Sequence, residues 1–116
     1  MKICVLNITP VPEEYLAAGR ASIEACCAGV LAPGTELALR APTLGTVTLP
    51  QYLEDFRNPW FQHLVVHDVS RAVIAADREW FDAIVVNCFD DPGVMEARAR
   101  VRTPVFGLSQ ATFHHA

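Results

Sequence analysis

The chain has 116 residues, of which 52% are hydrophobic and 19% charged, a balance that suits one soluble domain with a single core. Nine basic and 13 acidic residues give a formal net charge of -4, and no basic cluster is present for a nucleic-acid binder. A membrane span would need a run of about 18 apolar residues, and the opening apolar run is too short even for a signal-peptide core. The composition therefore predicts a cytoplasmic protein of α/β class.

The four cysteines are placed in a way that disfavours a structural scaffold. They are Cys4, Cys26, Cys27 and Cys88. None forms a C-x-x-C pair, so neither a disulfide framework nor a zinc site is indicated. We expect Cys4, Cys26 and Cys27 at core positions and treat Cys88 separately.

The first half of the chain alternates strand and helix patterns. Residues 2–6, KICVL, form a β-rich run, and residues 13–30 have helical periodicity ended by Pro33 and Gly34. Residues 35–39, TELAL, alternate polar and apolar side chains, as a half-buried strand does. One face of the predicted helix carries Leu16, Ile23, Cys27 and Val30.

A Thr-, Gly- and Pro-rich loop at residues 41–50 comes next, and it is long enough to be functional. A short helix is expected over residues 51–57, and the clearest amphipathic helix follows it. Its apolar side chains step by three and four residues. They are Val66, Val69, Val73, Ala76 and Trp80.

The remaining segment contains two strand patterns. Residues 82–88, DAIVVNC, have a continuous apolar centre that suits a strand covered on both faces. Asp91 and Pro92 fit the cap and first residue of a helix running to about residue 100. A strand at residues 104–108 then leads to Ser109, the expected cap of a last helix.

This order predicts a three-layer α/β/α domain, residues 1–116, with a parallel four-stranded sheet and right-handed crossovers. Ligands of such sheets bind beyond the carboxyl ends of the strands. Residues 7–10, 88–93 and 107–110 would meet there, and the loop at residues 41–50 could close over them.

Cys88 is the residue in this group with the most specific chemistry. It ends an apolar strand directly before a predicted helix start, where backbone N–H groups would favour a thiolate base or nucleophile. A buried, inert thiol is the alternative. Asn7 and Thr9 could bind a small ligand or simply close a turn.

Two other classes of protein do not fit the sequence. A thiol phosphatase would need an arginine where Val94 stands, and a nucleotide-binding protein would need a phosphate-binding glycine motif, which follows none of the predicted strands.

The segment FDAIVVNCFDDPGVMEARARVRTPVFGLSQATFHHA resembles the first half of the Asp/Glu/hydantoin racemase superfamily. Hydantoin and allantoin racemases carry A-C-F-G-D-P-G-L, a helix, and then I-P-V-V-G-I-G-E-A-A. The opening MKICVLN is similar to their M-K-I-L-V-I-N, and the resemblance extends in order over nearly all of the chain. The matching motif residues are Cys88, Phe89, Asp91, Pro92, Gly93, Pro104, Val105, Gly107 and Ala111.

The resemblance implies a cofactor-independent racemase or epimerase that uses two cysteines. One thiolate removes a proton from a carbon next to a carbonyl, and a second thiol returns a proton on the opposite face. Cys88 corresponds to the first cysteine. The backbone N–H groups of Phe89 and Asp90 correspond to donors for the developing enolate. The implied substrate-binding residues are Asn7, Thr9, Phe89, Asp90 and Gln110.

Several positions depart from the family pattern. Ile8, Thr9 and Pro10 replace P-N-T after Asn7 in the substrate loop, and Gln110 replaces a glutamate. Asp90 replaces a glycine, and its carboxylate would oppose thiolate formation and repel an acidic substrate. This favours a substrate with a neutral, N–H-rich edge, such as a hydantoin ring.

The family's site lies between two similar halves, each of which contributes one cysteine. We therefore expect this sequence to be the first half of a longer chain, or else a half-size protein that pairs two Cys88 residues in a homodimer. An exposed apolar flank would promote self-association, so a homo-oligomer is expected. The expected partner is a small hydantoin- or amino-acid-like substrate, without a metal, a nucleotide or nucleic acid.

Two alternative functions stay open at this point. The same thiol could serve a maleate isomerase-like or arylmalonate decarboxylase-like reaction, because a shared fold does not determine the chemistry. The domain could also be a catalytically silent ligand-binding module.

Overall fold

The computed structural model describes residues 1–43 and 47–115, and all statements on structure refer to these residues. No helix within them is long and apolar enough to cross a bilayer. The elements are β1 Lys2–Leu6, α1 Glu13–Cys26, β2 Glu36–Arg40, α2 Leu49–Asp55, α3 Pro59–Asp77, β3 Ala83–Val86, α4 Val94–Arg98, β4 Val105–Gly107 and α5 Leu108–His115.

The four strands form one parallel sheet in the order β2-β1-β3-β4, which confirms the predicted fold class. Leu6 lies opposite both Arg40 and Val86, and Val86 lies opposite Gly107. The strands therefore end side by side, and the loops that follow them meet at one edge of the sheet.

The two faces of the sheet are packed unequally. The face toward α3 and α4 holds the larger cluster, and Cys4, Ile84 and Val86 are buried there with side chains of α3. On the opposite face, α1 packs with β1 and β2 in a smaller cluster, whereas Phe106 of β4 is 46% exposed. Burial of each large apolar side chain contributes about 1.5–3 kcal/mol, so the α3 side carries most of the stabilising core.

Two helices end earlier than their apolar periodicity predicts. Helix α1 ends at Cys26, and Val30 is 82% exposed in the turn that follows. Cys26 is exposed too, so the predicted core positions of Cys26 and Val30 are wrong. Helix α3 ends at Asp77, and Trp80 adopts a left-handed φ of 59° and is 90% exposed. The turn that exposes Trp80 buries Phe81 instead.

The predicted caps of the last two helices are also wrong. Helix α4 begins only at Val94, with Gly93 as its cap. The Asp91 carboxylate accepts hydrogen bonds from the backbone N–H groups of Ser109 (2.9 Å) and Gln110 (2.8 Å). Asp91 therefore caps α5, and Ser109 is a helical residue. Because α5 follows β4 without a break, its first N–H groups need an acceptor from elsewhere in the chain.

Two glycines make this arrangement possible. A Cβ atom on Gly107 would lie 2.3 Å from Asp91 Cγ, and one on Gly93 would lie 2.9 Å from Ser70 Oγ in α3. Gly93 also has a φ of 74°, which favours glycine. The loop after β3 is thereby held close to both β4 and α3.

Gly107→Ala is expected to lower the free energy of unfolding by about 1–3 kcal/mol, because the new methyl group displaces the Asp91 carboxylate. In an Asp91→Ala background the same change should be nearly neutral, within about 0.5 kcal/mol. Urea unfolding of the two single variants and the double variant measures this coupling. Equal costs in both backgrounds would show that the Asp91–Gly107 contact is unimportant.

Cys4 lies fully buried at the centre of β1. Burial raises the pKa of its thiol from 9.0 to about 12, against the opposing charges of Arg40 and Lys2. The unfolded chain therefore releases this proton at lower pH than the folded chain does. The resulting stabilisation is complete below pH 9 and is lost as the pH rises toward 12.

We expect the free energy of unfolding to fall by about 1–2 kcal/mol between pH 9 and pH 10.5 through Cys4 alone. Chemical denaturation under reducing conditions at both pH values measures the slope. Cys4→Ala should make the slope less steep by this amount, whereas Cys26→Ala, which removes an exposed thiol, should leave the slope unchanged. An unaltered slope in Cys4→Ala would contradict the assignment.

Candidate functional site

Cys88 lies two residues beyond β3, half-buried at the carboxyl edge of the sheet. Its N–H donates to the Val86 carbonyl (3.0 Å), and its carbonyl accepts from the Asp91 N–H (3.1 Å). This tight turn, with Phe89 and Asp90 at its centre, separates Cys88 from the start of α4. The predicted position directly before a helix N-terminus is therefore wrong.

The backbone N–H groups of Phe89 and Asp90 lie at the centre of this turn. No acceptor for either group is found within the described ranges. Successive N–H groups in a turn form a concave donor site for anions. The two groups that are candidate enolate donors are therefore without a hydrogen-bond partner in the described part of the chain.

Asn7 is joined to the residue that precedes Cys88. The Asn87 side-chain N–H donates to Asn7 Oδ1 (3.1 Å), and the backbone N–H of Asn87 donates to the Leu6 carbonyl. The loops after β1 and β3 are thus fixed to each other by an amide pair. Asn87 was not among the predicted site residues, although its place directly before the cysteine could have indicated it. Thr9 is buried, so little of its side chain reaches the solvent at this edge.

Tyr52 is a second site residue that the sequence patterns did not reveal. Its hydroxyl lies 3.7 Å from Cys88 Sγ, and its ring packs 6.3 Å from the rings of both Phe56 and Phe61. Burial, the hydrogen bond with Cys88 and the negative charge of Asp90 raise the pKa of Tyr52 to about 12. Its hydroxyl is therefore protonated at neutral pH.

Helix α2 brings Tyr52 to this edge of the sheet. The loop predicted at residues 41–50 overlaps the start of this helix, because α2 begins at Leu49. Residues 44–46 of that prediction lie outside the described part of the chain. Thr48 and Gln51 form a capping box at the start of α2. The first residues of α2 and the loop at residues 10–12 line a cavity of about 320 Å³. The second half of the predicted loop thus packs beside the segment after β1.

Phe89 and Gln110 border the turn on its α5 side. The exposed Phe89 ring packs edge to face against Phe113, with 6.2 Å between ring centroids. The Gln110 N–H donates to Asp91, and Gln110 lines a separate cavity of about 280 Å³ together with Phe106. Asn7 is thus joined to the residue before Cys88, Phe89 and Asp90 form the turn after it, and Gln110 is connected to that turn through Asp91.

The described residues contain no cluster of three or more His, Cys, Asp or Glu side chains that could hold a metal ion. Among the described residues, the Tyr52 hydroxyl is the side-chain group within hydrogen-bond distance of Cys88 Sγ, and the backbone N–H groups of Phe89 and Asp90 belong to the turn that follows Cys88. A protonated phenol and backbone N–H groups can donate hydrogen bonds to an anion, whereas a thiol can exchange a proton with a ligand.

Comparison with known proteins relates this chain to an enzyme family. The family model of Asp/Glu/Hydantoin racemase matches residues 21–116. A hydantoin racemase from Pseudomonas sp. (strain NS671) is 26% identical over 116 residues, which are 100% of this chain and 42% of the relative. The structure of allantoin racemase from Klebsiella pneumoniae matches with a TM-score of 0.74 and 26% identity, again over 100% of this chain and 42% of that one.

Both relatives are named racemases, and this chain spans less than half of the length of either. The family model covers most of the chain, including the complete loop around Cys88 and the strand and helix that follow it. The chain therefore belongs to the Asp/Glu/Hydantoin racemase family.

Proposed function

We propose that this chain supplies one half of a racemase or epimerase site, in which Cys88 exchanges a proton with a carbon next to a carbonyl. The observation that carries the proposal is the surroundings of the thiol. Cys88 stands beyond the carboxyl end of β3, within hydrogen-bond distance of the Tyr52 hydroxyl, and the backbone N–H groups of the two residues that follow it have no acceptor among the described residues. Membership of a racemase family supports this reaction class.

In the proposed step, the Cys88 thiolate takes the proton from the substrate carbon and becomes a thiol. The electron pair of the broken C–H bond moves to the carbonyl oxygen, which gains negative charge as an enolate. The N–H groups of Phe89 and Asp90 are placed to donate to that oxygen. A second thiol on the opposite face returns a proton, so the configuration inverts without any net change in charge and without a cofactor.

The second thiol has to come from outside this chain. Cys4 is buried in the core. Cys26 ends α1 and Cys27 follows it, and this helix starts at the carboxyl edge of the sheet and runs back to its amino edge. We place the second cysteine in a further segment that corresponds to the rest of the relatives' length. The alternative is a homodimer that brings two Cys88 residues face to face. The native reading frame and the intact mass of the protein distinguish a longer chain from such a homodimer.

The charge around Cys88 indicates the substrate class. Asp90 is exposed at the centre of the turn, where its carboxylate repels an anionic substrate. A cyclic amide such as a hydantoin presents N–H groups to this carboxylate and avoids the repulsion. We therefore propose a neutral, hydantoin-like substrate in preference to aspartate or glutamate.

A cytoplasmic location of the protein fits the four free cysteines, because the cytoplasm keeps thiols reduced.

Cys88→Ala, made in the complete reading frame, is expected to abolish racemisation, with a loss of at least about 10²–10⁴-fold. The rotation of an optically pure 5-substituted hydantoin, followed with time, measures the rate. Deuterium uptake at the same carbon in heavy water reports proton abstraction independently. Cys26→Ala is the matched control, and it should racemise at the parent rate. Substantial turnover by Cys88→Ala would reject Cys88 as an acid/base.

Asp90→Asn removes a charge at nearly constant size and should shift the substrate preference. We expect the ratio of kcat/KM for a 5-carboxymethyl hydantoin over a neutral 5-alkyl hydantoin to rise by roughly 3- to 30-fold, as partial removal of like-charge repulsion predicts. Glu96→Gln, a charge removal within α4, serves as the control. An unchanged ratio in Asp90→Asn would show that Asp90 does not select the substrate.

A further inference from the structure

The position of Cys88 in the sequence predicts that a helix N-terminus stabilises its thiolate. The structure has a different arrangement. The turn at residues 88–93 separates the thiol from α4. The N-terminal N–H groups of Ser109 and Gln110 in α5 are already bonded to the Asp91 carboxylate. Among the described residues, the side-chain group within hydrogen-bond distance of Cys88 Sγ is the Tyr52 hydroxyl, at 3.7 Å.

We propose that Tyr52 is the positioning residue of the Cys88 base: its hydroxyl donates a hydrogen bond to the sulfur and stabilises the thiolate relative to the thiol. This inference rests on the proposed function, since the contact matters for turnover only if Cys88 exchanges the substrate proton. Through Tyr52, helix α2 would stabilise the Cys88 thiolate, although this helix lies outside the matched C-F-x-D-P-G loop.

The order of protonation suits this role. The pKa of Tyr52 is raised to about 12, with burial as the largest cause and the contact with Cys88 next. The phenol therefore keeps its proton over the whole range in which a thiol ordinarily ionises. A hydrogen bond from a neutral donor to an anion is stronger than one between neutral groups, so the bond favours the thiolate selectively.

The surroundings of Tyr52 hold the hydroxyl in place. The capping box of Thr48 and Gln51 fixes the start of α2, and the rings of Phe56 and Phe61 pack at an angle against the Tyr52 ring. The charged or titratable groups that act on the hydroxyl are Cys88 and Asp90. Asp90 opposes the thiolate by like-charge repulsion, and the Tyr52 hydrogen bond offsets this repulsion.

Tyr52→Phe removes the hydroxyl and keeps the ring, so it tests the bond with little change in packing. The rate of carboxamidomethylation of Cys88 by iodoacetamide is measured against pH, with the Cys88 peptide resolved by mass spectrometry. We expect the midpoint of the profile to rise by about half to one pH unit and the rate at pH 7 to fall roughly three- to tenfold, as for loss of a hydrogen bond to a charged group.

Two controls accompany this experiment. Tyr15→Phe makes the same chemical change at the chain's other tyrosine, which is 65% exposed on α1, and its Cys88 profile should coincide with that of the parent. The exposed Cys26 is the internal reference, and its profile should be the same in all three proteins. Coincident Cys88 profiles for Tyr52→Phe and the parent would overturn the proposal, as would an equal shift at Cys26.

Racemisation by the complete protein provides the second readout. If Tyr52 acts through Cys88, the alkaline rise of kcat/KM in Tyr52→Phe moves to higher pH, and the variant recovers the parent rate there. Loss of activity that is equal at every pH would contradict positioning of the thiolate. Retained racemisation by Cys88→Ala would reject the proposed function by itself, while the alkylation profiles decide the Tyr52–Cys88 bond independently of turnover.

Discussion

The hydrogen bonds from the first N–H groups of α5 to the Asp91 carboxylate are the interaction on which the site depends. They supply the acceptor that a helix starting directly after a strand lacks, and they pull the loop after β3 against the end of β4. Gly107 leaves the space that the carboxylate occupies. Asp91 has a left-handed φ of 49°, which completes the tight turn. The position of Cys88 in that turn therefore follows from a capping interaction elsewhere.

This geometry determines which groups lie near the Cys88 thiol. Capping by Asp91 uses the N-terminal N–H groups of α5, and Gly93 delays the start of α4, so neither helix offers its N-terminus to Cys88. The thiol instead lies within hydrogen-bond distance of the Tyr52 phenol from a separate helix, which in our proposal stabilises its thiolate. Loops and α2 then tune the base, while the parallel sheet holds them in register. Such a division allows one scaffold to serve related reactions through changes in its loops.

Local patterns predicted the sheet and all five helices because each strand and helix has its own period of apolar residues. The errors fall where a tertiary contact replaces a local one. Trp80 continues the helical period of α3, yet the chain turns before it and buries Phe81 in its place. Asp91 has the form of a local cap for the helix that follows it, yet its carboxylate reaches a helix 18 residues further on.

The sequence by itself determined the βαβ order, the placement of Cys88 at the carboxyl end of an apolar strand, and the motifs that mark the racemase family. These properties depend on the period and spacing of neighbouring residues. Only the tertiary structure decided which groups surround the thiol. Asn7 and Asn87 are 80 residues apart, and Tyr52 and Cys88 are 36 apart. No local period relates such pairs, because parallel pairing and helix packing alone bring them to the same edge of the sheet.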